Sequence, residues 1–378
     1  MRNDMIKIPL SRPYFDEKDI EEVLSHIREV LRSGWLTCGP LVKQFEDKMS
    51  ELLGVPYVVA LNSCTAALHA LMLALDVGPG DEVIVPSITF VATANAVLYV
   101  GAKPVFADSD PRTFNISPES VQGRVGPRTK GIIAVHLGGT PCDMKAIMEI
   151  AEDHKLFVVE DAAHALGSFY NGRPCGTIGI AGAFSFYPTK IITTAEGGAV
   201  TTYDGVIAKK VRMIRNHGRA YFGPGPIETL GFNFRLSELH AALGLVQLKH
   251  IEKFIARRNE IARLYNRELK KIGWIRPQEV PLGCRSSYYA YIVCLSDDAP
   301  ITRDELISRL RERGIETSVM YHAVHLQPFY RRIFGFKKGY LPVAEFISEN
   351  NVALPMFYGL SDEDVRRVIE AIEVVPSI

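Results

Sequence analysis

The chain has 378 residues, too many for one small hydrophobic core, and its 47% hydrophobic and 23% charged residues are ordinary for a soluble globular protein. Lysine and arginine together number 43, as do aspartate and glutamate, so the zero net charge gives no support to binding of nucleic acid or an anionic membrane. The six cysteines are scattered without paired spacing, which favours reduced thiols over a disulfide framework or a zinc site.

Two stretches, 55–75 and 83–102, lack charged residues and are long enough to span a bilayer. Both contain proline and several hydroxyl or amide side chains, which suit buried strand–helix units better than membrane helices. The N-terminal residues include Arg2, Asp4 and Lys7 and no apolar core of a signal peptide. We therefore expect a cytoplasmic protein that does not bind membranes or nucleic acid.

The first two thirds of the chain predict an α/β unit. Two amphipathic helices, at 17–32 and 40–53, precede a regular alternation of strands and helices. The predicted strands lie at 57–61, 82–85, 104–106, 131–136, 156–160, 183–187 and 198–203, and the predicted helices at 65–75, 92–99, 144–153 and 206–216. This alternation is typical of a mostly parallel sheet flanked by helices, whose ligands bind at the carboxyl ends of the strands.

The rest of the chain predicts a smaller α/β unit. One long helix is expected at 237–271, because its apolar residues keep a helical period throughout. Predicted strands at 288–295 and 315–320 and helices at 302–313, 342–349 and 361–372 follow it. We place the boundary within the long helix and assign residues 1–245 to a large domain and 246–378 to a small C-terminal domain.

Lys190 is the most informative residue of the large unit. It follows the strand at 183–187, which Pro188 ends, and hydroxyl residues stand on both sides of it. A single amine on a loop at a strand end suits a reactive lysine, although an ordinary loop lysine has the same local pattern.

Four further groups fall at predicted strand ends. Asp161 ends a buried strand, either as a cap or salt-bridge partner or as the partner of a pyridinium nitrogen. Cys64 and Thr65 open a helix whose N–H groups form an anion site, and Ser185 adds a hydroxyl. Phe90 suits either core packing or stacking on a planar ring. Together with the lysine, these groups describe a pyridoxal phosphate site.

Motifs along nearly the whole chain then resemble one known family. They include SGWLTCGP (33–40), NSCTAALH (62–69), TFVATANA (89–96), EDAAH (160–164), the segment 184–198, NFRLSEL (233–239) and segment 354–364. They are similar to the DegT/DnrJ/EryC1/StrS family of nucleotide-sugar aminotransferases, which use pyridoxal phosphate (PLP). The resemblance implies the fold of aspartate aminotransferase, fold type I, with a mostly parallel mixed sheet and a smaller C-terminal α/β domain.

The resemblance also implies roles at the cofactor. Lys190 would hold PLP covalently and move a proton at the substrate, Asp161 would pair with the pyridine nitrogen, and His164 would lie near the 3-oxygen of the ring. Judged alone, His164 is equally well a satisfied histidine after a strand. Cys64, Thr65 and Ser185 would bind the phosphate, and so would Asn233 from a neighbouring subunit. A homodimer with shared sites is therefore implied.

Substrate contacts are implied for five residues, Trp35, Thr37, Arg235, Tyr321 and His322. His325 belongs to the same segment as the last two. Although the two histidines are three residues apart, no third ligand lies nearby, so we expect no metal site. Two residues depart from the family pattern, Cys64 where many relatives have glycine and Gly139 where a larger residue is common.

The implied reaction moves an amino group from glutamate, which becomes 2-oxoglutarate, to a keto-sugar on UDP, dTDP or GDP. Amination at C4 is favoured over C3, and the amino sugar would enter cell-surface polysaccharide, lipopolysaccharide or a secondary metabolite. Some relatives carry histidine in place of the lysine and dehydrate sugars, and Lys190 argues against that branch. The alternatives are a non-catalytic PLP-binding regulator of the same fold and an aminotransferase acting on a small amino compound.

Overall fold

The computed structural model describes residues 6–221, 223 and 225–374. The elements of its first part are, in order, α1 (Glu17–Ser33), α2 (Pro40–Leu53), β1 (Tyr57–Leu61), α3 (Cys64–Ala74), β2 (Glu82–Pro86), α4 (Ala92–Tyr99), β3 (Lys103–Ala107), α5 (Pro118–Gln122), β4 (Thr129–Val135), α6 (Met144–His154) and β5 (Phe157–Asp161). They continue with β6 (Phe169–Tyr170), β7 (Arg173–Pro174), β8 (Ala181–Ser185), β9 (Gly198–Thr202), α7 (Gly205–Arg215), α8 (Glu238–Leu248) and α9 (Ile251–Leu269). The last are β10 (Ile275–Pro277), β11 (Cys284–Arg285), β12 (Tyr291–Leu295), α10 (Arg303–Glu312), α11 (Pro328–Phe334), α12 (Pro342–Asn350), β13 (Asn351–Leu354) and α13 (Asp362–Val374).

A seven-stranded sheet organises the first part of the chain, in the order β1-β9-β8-β5-β4-β2-β3. β9 is antiparallel to both of its neighbours, whereas the pairs from β8 to β3 are parallel. Alternate strand residues face opposite cores: Val159 packs with α3, α4 and α7, while Val158 packs in a core that includes α6 residues. The predicted mostly parallel sheet with helices on both faces is confirmed.

The second part of the chain forms a smaller antiparallel sheet, β10-β12-β13. Its core holds apolar residues of α9, α10 and α13, such as Tyr265, Leu306 and Val365. α9 contributes to both cores, since its first residues, including Phe254, pack with α2 and α8. The domain boundary near residue 245 stays a prediction.

The single long helix expected at 237–271 is wrong, because the structure has two helices, α8 and α9. The break lies at Lys249 and His250, where the His250 imidazole is 2.7 Å from the Asp19 carboxylate of α1. Apolar residues keep the same helical spacing on both sides of the break, so the sequence pattern gives no sign of the break.

The strand expected at 315–320 is also wrong. This segment forms only isolated bridges, Ile8 with Ile315 and Ser318 with Ala353. At its end the Met320 N–H donates to the Asn351 side chain at 2.6 Å, where a strand would continue a backbone ladder. Within residues 6–221, 223 and 225–374, no helix has the length and apolar character needed to cross a membrane.

Candidate active site

A cavity of about 400 Å³ lies at the carboxyl ends of the parallel strands of the large sheet. The structure brings most of the predicted cofactor residues into its wall: Cys64, Thr65, Phe90, Asp161, His164, Ser185 and Lys190, together with Tyr321 from the predicted substrate set. These side chains come from separate loops that follow β1, β2, β5 and β8, and from the C-terminal part of the chain. The sheet topology therefore brings these predicted residues into one cavity wall, while their roles toward a cofactor stay predictions.

Asp161 is a carboxylate with only 5% exposure at the end of β5. It accepts hydrogen bonds from the Thr93 hydroxyl at 2.7 Å and from the Ala163 N–H at 3.2 Å, both neutral donors. Burial raises the pKa of Asp161, while these hydrogen bonds and the charge of Lys190 lower it. A buried carboxylate in this position is stabilised by a cation, and the protonated pyridine nitrogen of PLP is such a cation.

The phosphate would bind at the N-terminus of α3. The Ser63 side chain caps this helix by accepting from the Ala66 N–H at 3.0 Å, and the Cys64 and Thr65 N–H groups are the first two of the helix. Burial raises the pKa of the Cys64 thiol well above its usual 9.0, so the thiol is neutral beside an anion. The residues present thus fit the phosphate of PLP.

Gly198 at the start of β9 permits this arrangement. A Cβ atom on Gly198 would lie 2.4 Å from the Cys64 nitrogen and 2.6 Å from the Ser63 carbonyl oxygen. These contacts involve backbone atoms, which cannot move aside as a flexible side chain does. Glycine is therefore required where β9 passes the N-terminus of α3.

Lys190 lies against a residue that the sequence interpretation missed. Its amine is 4.2 Å from the centre of the Tyr289 ring, and the Tyr289 hydroxyl is 3.0 Å from the Thr189 hydroxyl. The sequence places Tyr289 inside the strand predicted at 288–295. In the structure β12 begins only at residue 291, and Tyr288 has a φ of +47°. A pattern of alternating residues carries no signal for this turn.

Arg258 of α9 holds the turn that presents Tyr289. Its buried guanidinium donates to the carbonyl groups of Tyr288, Tyr289 and Met356 at 2.9, 3.1 and 3.0 Å. Burial lowers the pKa of Arg258 to about 10, so the group keeps its charge near neutral pH. A residue of α9 therefore holds the part of the cavity wall that lies beside Lys190.

His164 has a protein partner at each ring nitrogen. Nδ1 lies 3.3 Å from the Gly138 N–H, and Nε2 lies 3.2 Å from the Tyr321 hydroxyl. The ring stacks on Tyr289 with a centroid distance of 4.2 Å and an interplanar angle of 22°. Burial, and next the charge of Lys190, lower the pKa of His164 well below 6.5, so the imidazole is neutral.

Five predicted residues do not line this cavity: His322, which lines a second cavity described below, and Trp35, Thr37, Asn233 and Arg235. Trp35 is 55% exposed and its indole N–H donates to the Thr37 carbonyl at 2.9 Å. Arg235 donates to the Asn216 side chain at 3.1 Å, and Asn233 is exposed, with its carbonyl accepting from Asn62. The predicted contacts of Trp35, Thr37, Asn233 and Arg235 with cofactor or substrate stay predictions.

A second cavity of about 860 Å³ adjoins the first. The two share Thr89, Phe90 and Tyr321 as walls, and His322 lines the second. His325 is different, because it is completely buried. Its Nδ1 is 2.7 Å from the Ser87 hydroxyl and its Nε2 is 3.2 Å from Glu345, so both ring nitrogens have protein partners.

A buried cluster of potential metal ligands, His136, Glu160 and Cys175, lies beside the site. Glu160 accepts hydrogen bonds from the Gly176 and Gly179 N–H groups at 2.7 and 2.8 Å, and it lies 2.9 Å from the His136 ring. Because these contacts engage both carboxylate oxygens, the cluster is a hydrogen-bond network that fixes the loop before β8.

Comparison with known proteins identifies the family of the chain. The DegT/DnrJ/EryC1/StrS aminotransferase family matches residues 17–373. The spore coat polysaccharide biosynthesis protein SpsC of Bacillus subtilis is 41% identical over 377 residues, covering 97% of this chain and 96% of that protein. GDP-perosamine synthase of Caulobacter vibrioides is 38% identical over 379 residues, covering 99% of each.

The fold also matches a solved structure of the same size. Spr1654 of Streptococcus pneumoniae in its PLP form superposes with a TM-score of 0.91 at 33% identity and covers 98% of both chains. The resemblance of the motifs is therefore confirmed, as is the PLP cofactor. The chain belongs to the DegT/DnrJ/EryC1/StrS aminotransferase family and is a PLP-dependent sugar aminotransferase.

Proposed function

We propose that the protein transfers an amino group from glutamate to C4 of a keto-sugar linked to GDP, dTDP or UDP. The observation that carries this proposal is the second cavity, which opens beside the cofactor site and shares three walls with it. A small amino compound would need only the first cavity. A sugar nucleotide has its reacting carbon at one end and its nucleotide at the other. The reacting carbon would bind in the first cavity, beside the cofactor, and the nucleotide in the second.

The chemistry of the second cavity also supports a nucleotide. Phe90, Tyr99 and Phe329 present exposed rings on which a base can stack. Arg332 lines the same cavity and supplies a positive charge for a diphosphate. One relative is a GDP-perosamine synthase, which supports a nucleotide-linked substrate for this chain as well.

When bound, PLP supplies an electron sink for the amino-bearing carbon of the substrate. In the proposed reaction Asp161 keeps the pyridine nitrogen protonated, and the N–H groups of Cys64 and Thr65 bind the phosphate. Lys190 would accept a proton from the amino-bearing carbon of glutamate in the first half-reaction and would give a proton to the sugar carbon that receives nitrogen in the second. Tyr289 and Phe90 form part of the wall of the site. The amino sugar would serve polysaccharide, lipopolysaccharide or secondary-metabolite synthesis in the cytoplasm.

A homodimer with shared sites belongs to the same proposal. Asn233 is exposed, and the segment that precedes it in the sequence carries the exposed apolar residues Ile227 and Leu230. Such residues favour contact with a second copy, from which Asn233 would reach the phosphate of the neighbouring site. Light scattering of the wild type should give the mass of a dimer. The dissociation constant for PLP should be higher in Asn233→Ala, because this variant lacks the contact with the phosphate of the neighbouring site.

The reaction can be tested with the purified holoenzyme by absorbance. Glutamate should convert the bound cofactor to its amine form, and a GDP-, dTDP- or UDP-linked 4-keto-sugar should restore it. Lys190→Ala should lose turnover. Restoration only by 3-keto-sugars would contradict C4 amination, and restoration only by small keto acids would contradict the sugar nucleotide. If no amino donor converts the bound cofactor to its amine form, the result would favour the non-catalytic PLP-binding regulator.

A further inference from the structure

We infer that Thr93 is a positioning residue for Asp161, because its hydroxyl holds the Asp161 carboxylate in one orientation and favours its ionised form. The inference rests on the proposed function for the pairing of Asp161 with the pyridine nitrogen of PLP. It rests on the structure alone for the action of Thr93 on Asp161, since the Thr93 hydroxyl donates to Asp161 Oδ2 at 2.7 Å.

Thr93 can influence the site only through its neighbours. It is completely buried and lines neither of the two cavities. It belongs to the first turn of α4, where its N–H donates to the Phe90 carbonyl at 3.2 Å, and the Phe90 side chain is exposed in the cavity wall. One turn therefore supplies an aromatic ring to the cavity and a hydroxyl to Asp161.

The carboxylate of Asp161 is held by donors at both of its oxygens. Thr93 donates to Oδ2, and the Ala163 N–H donates to Oδ1 at 3.2 Å. A carboxylate has about four acceptor positions, so each oxygen keeps a lone pair for a cation. Two donors at different oxygens fix the plane of the carboxylate, whereas Ala163 alone would leave it free to turn about its last torsion.

The hydroxyl of Thr93 also has a defined direction. An ionised carboxylate can only accept, so the Thr93 proton points at Asp161. The Thr93 oxygen is then left with lone pairs for the Thr89 hydroxyl, 2.8 Å away. Thr89 consequently donates to Thr93, and this second hydrogen bond polarises the Thr93 hydroxyl and makes it a stronger donor to Asp161.

Thr93 opposes the effect of burial on Asp161. Burial raises the pKa of Asp161, and the hydrogen bond from Thr93 is the largest of the effects that lower it. The Ala163 N–H and the charges of Lys190 and His136 come after it. Because the Thr93 hydroxyl is neutral and belongs to the protein, it acts on the carboxylate before any cofactor has bound.

Two further titratable groups interact with Asp161, the Cys64 thiol and the Tyr321 phenol. Burial is the main cause that raises the pKa of each well above its usual value, so both are neutral near pH 7. Neither therefore adds a charge that acts on the Asp161 carboxylate.

The action on Asp161 is tested in the cofactor-free protein by ¹³C NMR of the aspartate carboxyl groups, with the Asp161 signal assigned by its loss in Asp161→Asn. The Asp161 pKa should be higher in Thr93→Val, which lacks the hydroxyl, and should return to the wild-type value in Thr93→Ser, which keeps it. Thr201→Val, at a buried threonine that donates to the Gly176 carbonyl at 2.5 Å, is the matched control and should leave the Asp161 pKa unchanged. Equal pKa values in Thr93→Val and the wild type would overturn the inference.

The direction of the chain is tested with Thr89→Val. This variant should raise the Asp161 pKa less than Thr93→Val does, because Thr89 acts only through Thr93. The double variant should match Thr93→Val, whereas effects that add would contradict the chain. Since Thr89→Val leaves Thr93 in place, it also provides the test if Thr93→Val fails to fold, and an unchanged Asp161 pKa would then overturn the inference.

The consequence for the cofactor is tested by titration with PLP. The dissociation constant should rise by about tenfold in Thr93→Val and stay within about threefold in Thr93→Ser. The difference from the wild type should grow as the pH falls, because Asp161 is protonated first in the Val variant. A purely structural defect would weaken binding equally at every pH and would contradict the role of Thr93.

The failure of the pairing and the failure of the inference give different results. If Asp161→Asn binds PLP as tightly as the wild type, the proposed pairing of Asp161 with the pyridine nitrogen fails. The NMR measurement needs no cofactor and still decides whether Thr93 acts on Asp161.

Discussion

The amine of Lys190 lies 4.2 Å from the centre of the Tyr289 ring, although the two residues lie next to strands of different sheets. Lys190 follows β8 of the large sheet, and Tyr289 precedes β12 of the small one. The face of an aromatic ring attracts an ammonium group by about 0.5–2 kcal/mol. The small unit thus supplies the surface that holds the amine.

Removing that ring should impair the reaction more than removing its hydroxyl. Tyr289→Leu should lower kcat by on the order of tenfold, which corresponds to about 1.4 kcal/mol, because the amine loses its surface. Tyr289→Phe keeps the ring and should stay within about threefold. Steady-state kinetics with the same keto-sugar measures both variants. A Phe variant as slow as the Leu variant would assign the effect to the hydroxyl bond with Thr189.

Asp161 should make the stability of the cofactor-free protein depend on pH. Because burial raises the folded-state pKa of Asp161, this group favours the folded protein below pH 3.8, and that contribution is lost as the pH rises through the folded-state pKa. Asp161→Asn, which stays neutral, should therefore be more stable than the wild type at pH 7 without PLP. Thermal unfolding from pH 4 to pH 8 measures the difference, which should shrink toward pH 4.

With PLP bound, the wild type should be more stable than Asp161→Asn. The pyridinium nitrogen then gives the Asp161 carboxylate its cation, and the Asn variant loses this pair. Turnover of Asp161→Asn should fall by more than about 100-fold, since one preorganised electrostatic contact is worth that much. An Asn variant that remains the more stable protein in saturating PLP would contradict the pairing.

Glu238 should be a major support of the N-terminus of α2. Its buried carboxylate accepts from the Gly39, Leu41 and Val42 N–H groups at 2.8, 2.8 and 3.0 Å. Glu238→Ala should lower the free energy of unfolding by about 2–4 kcal/mol, because several donors lose a charged acceptor. Urea denaturation provides the measurement. The exposed Glu373→Gln on α13 should change stability by less than about 0.5 kcal/mol.

Gly198 should determine cofactor affinity. In Gly198→Ala the new Cβ would meet backbone atoms of Ser63 and Cys64, so the N-terminus of α3 must move. The dissociation constant for PLP, measured by fluorescence titration of the cofactor-free protein, should rise by about tenfold or more. Gly273→Ala, where no atom lies within 4 Å of the new Cβ, is the matched control and should bind PLP normally.

The parts of the site that the sequence predicted are those in which one local pattern defines both an element and its end. Asp161 ends a buried strand, and Cys64 begins a helix after a short apolar run, so their places at the sheet edge follow from the alternation of strands and helices. Lys190 is similar, because Pro188 excludes a longer strand and places the lysine in the loop that follows β8, which ends at Ser185.

Other features depend on contacts between distant segments. Tyr289 turns toward Lys190 because Arg258, thirty-one positions earlier, binds its carbonyl group. The break between α8 and α9 coincides with the contact of His250 and Asp19, which the apolar period does not record. The strand expected at 315–320 has the correct composition, but a side chain, Asn351, takes the place of its ladder partner.

The origin of Tyr289 and Tyr321 in the last third of the chain has a consequence for biosynthesis. A ribosome completes Cys64, Asp161 and Lys190 well before it adds the two tyrosines that close the cavity around them. A nascent chain thus contains the reactive amine before the surface that holds it. The finished active site forms only after translation has passed Tyr321, so the enzyme becomes active as a late event in its own synthesis.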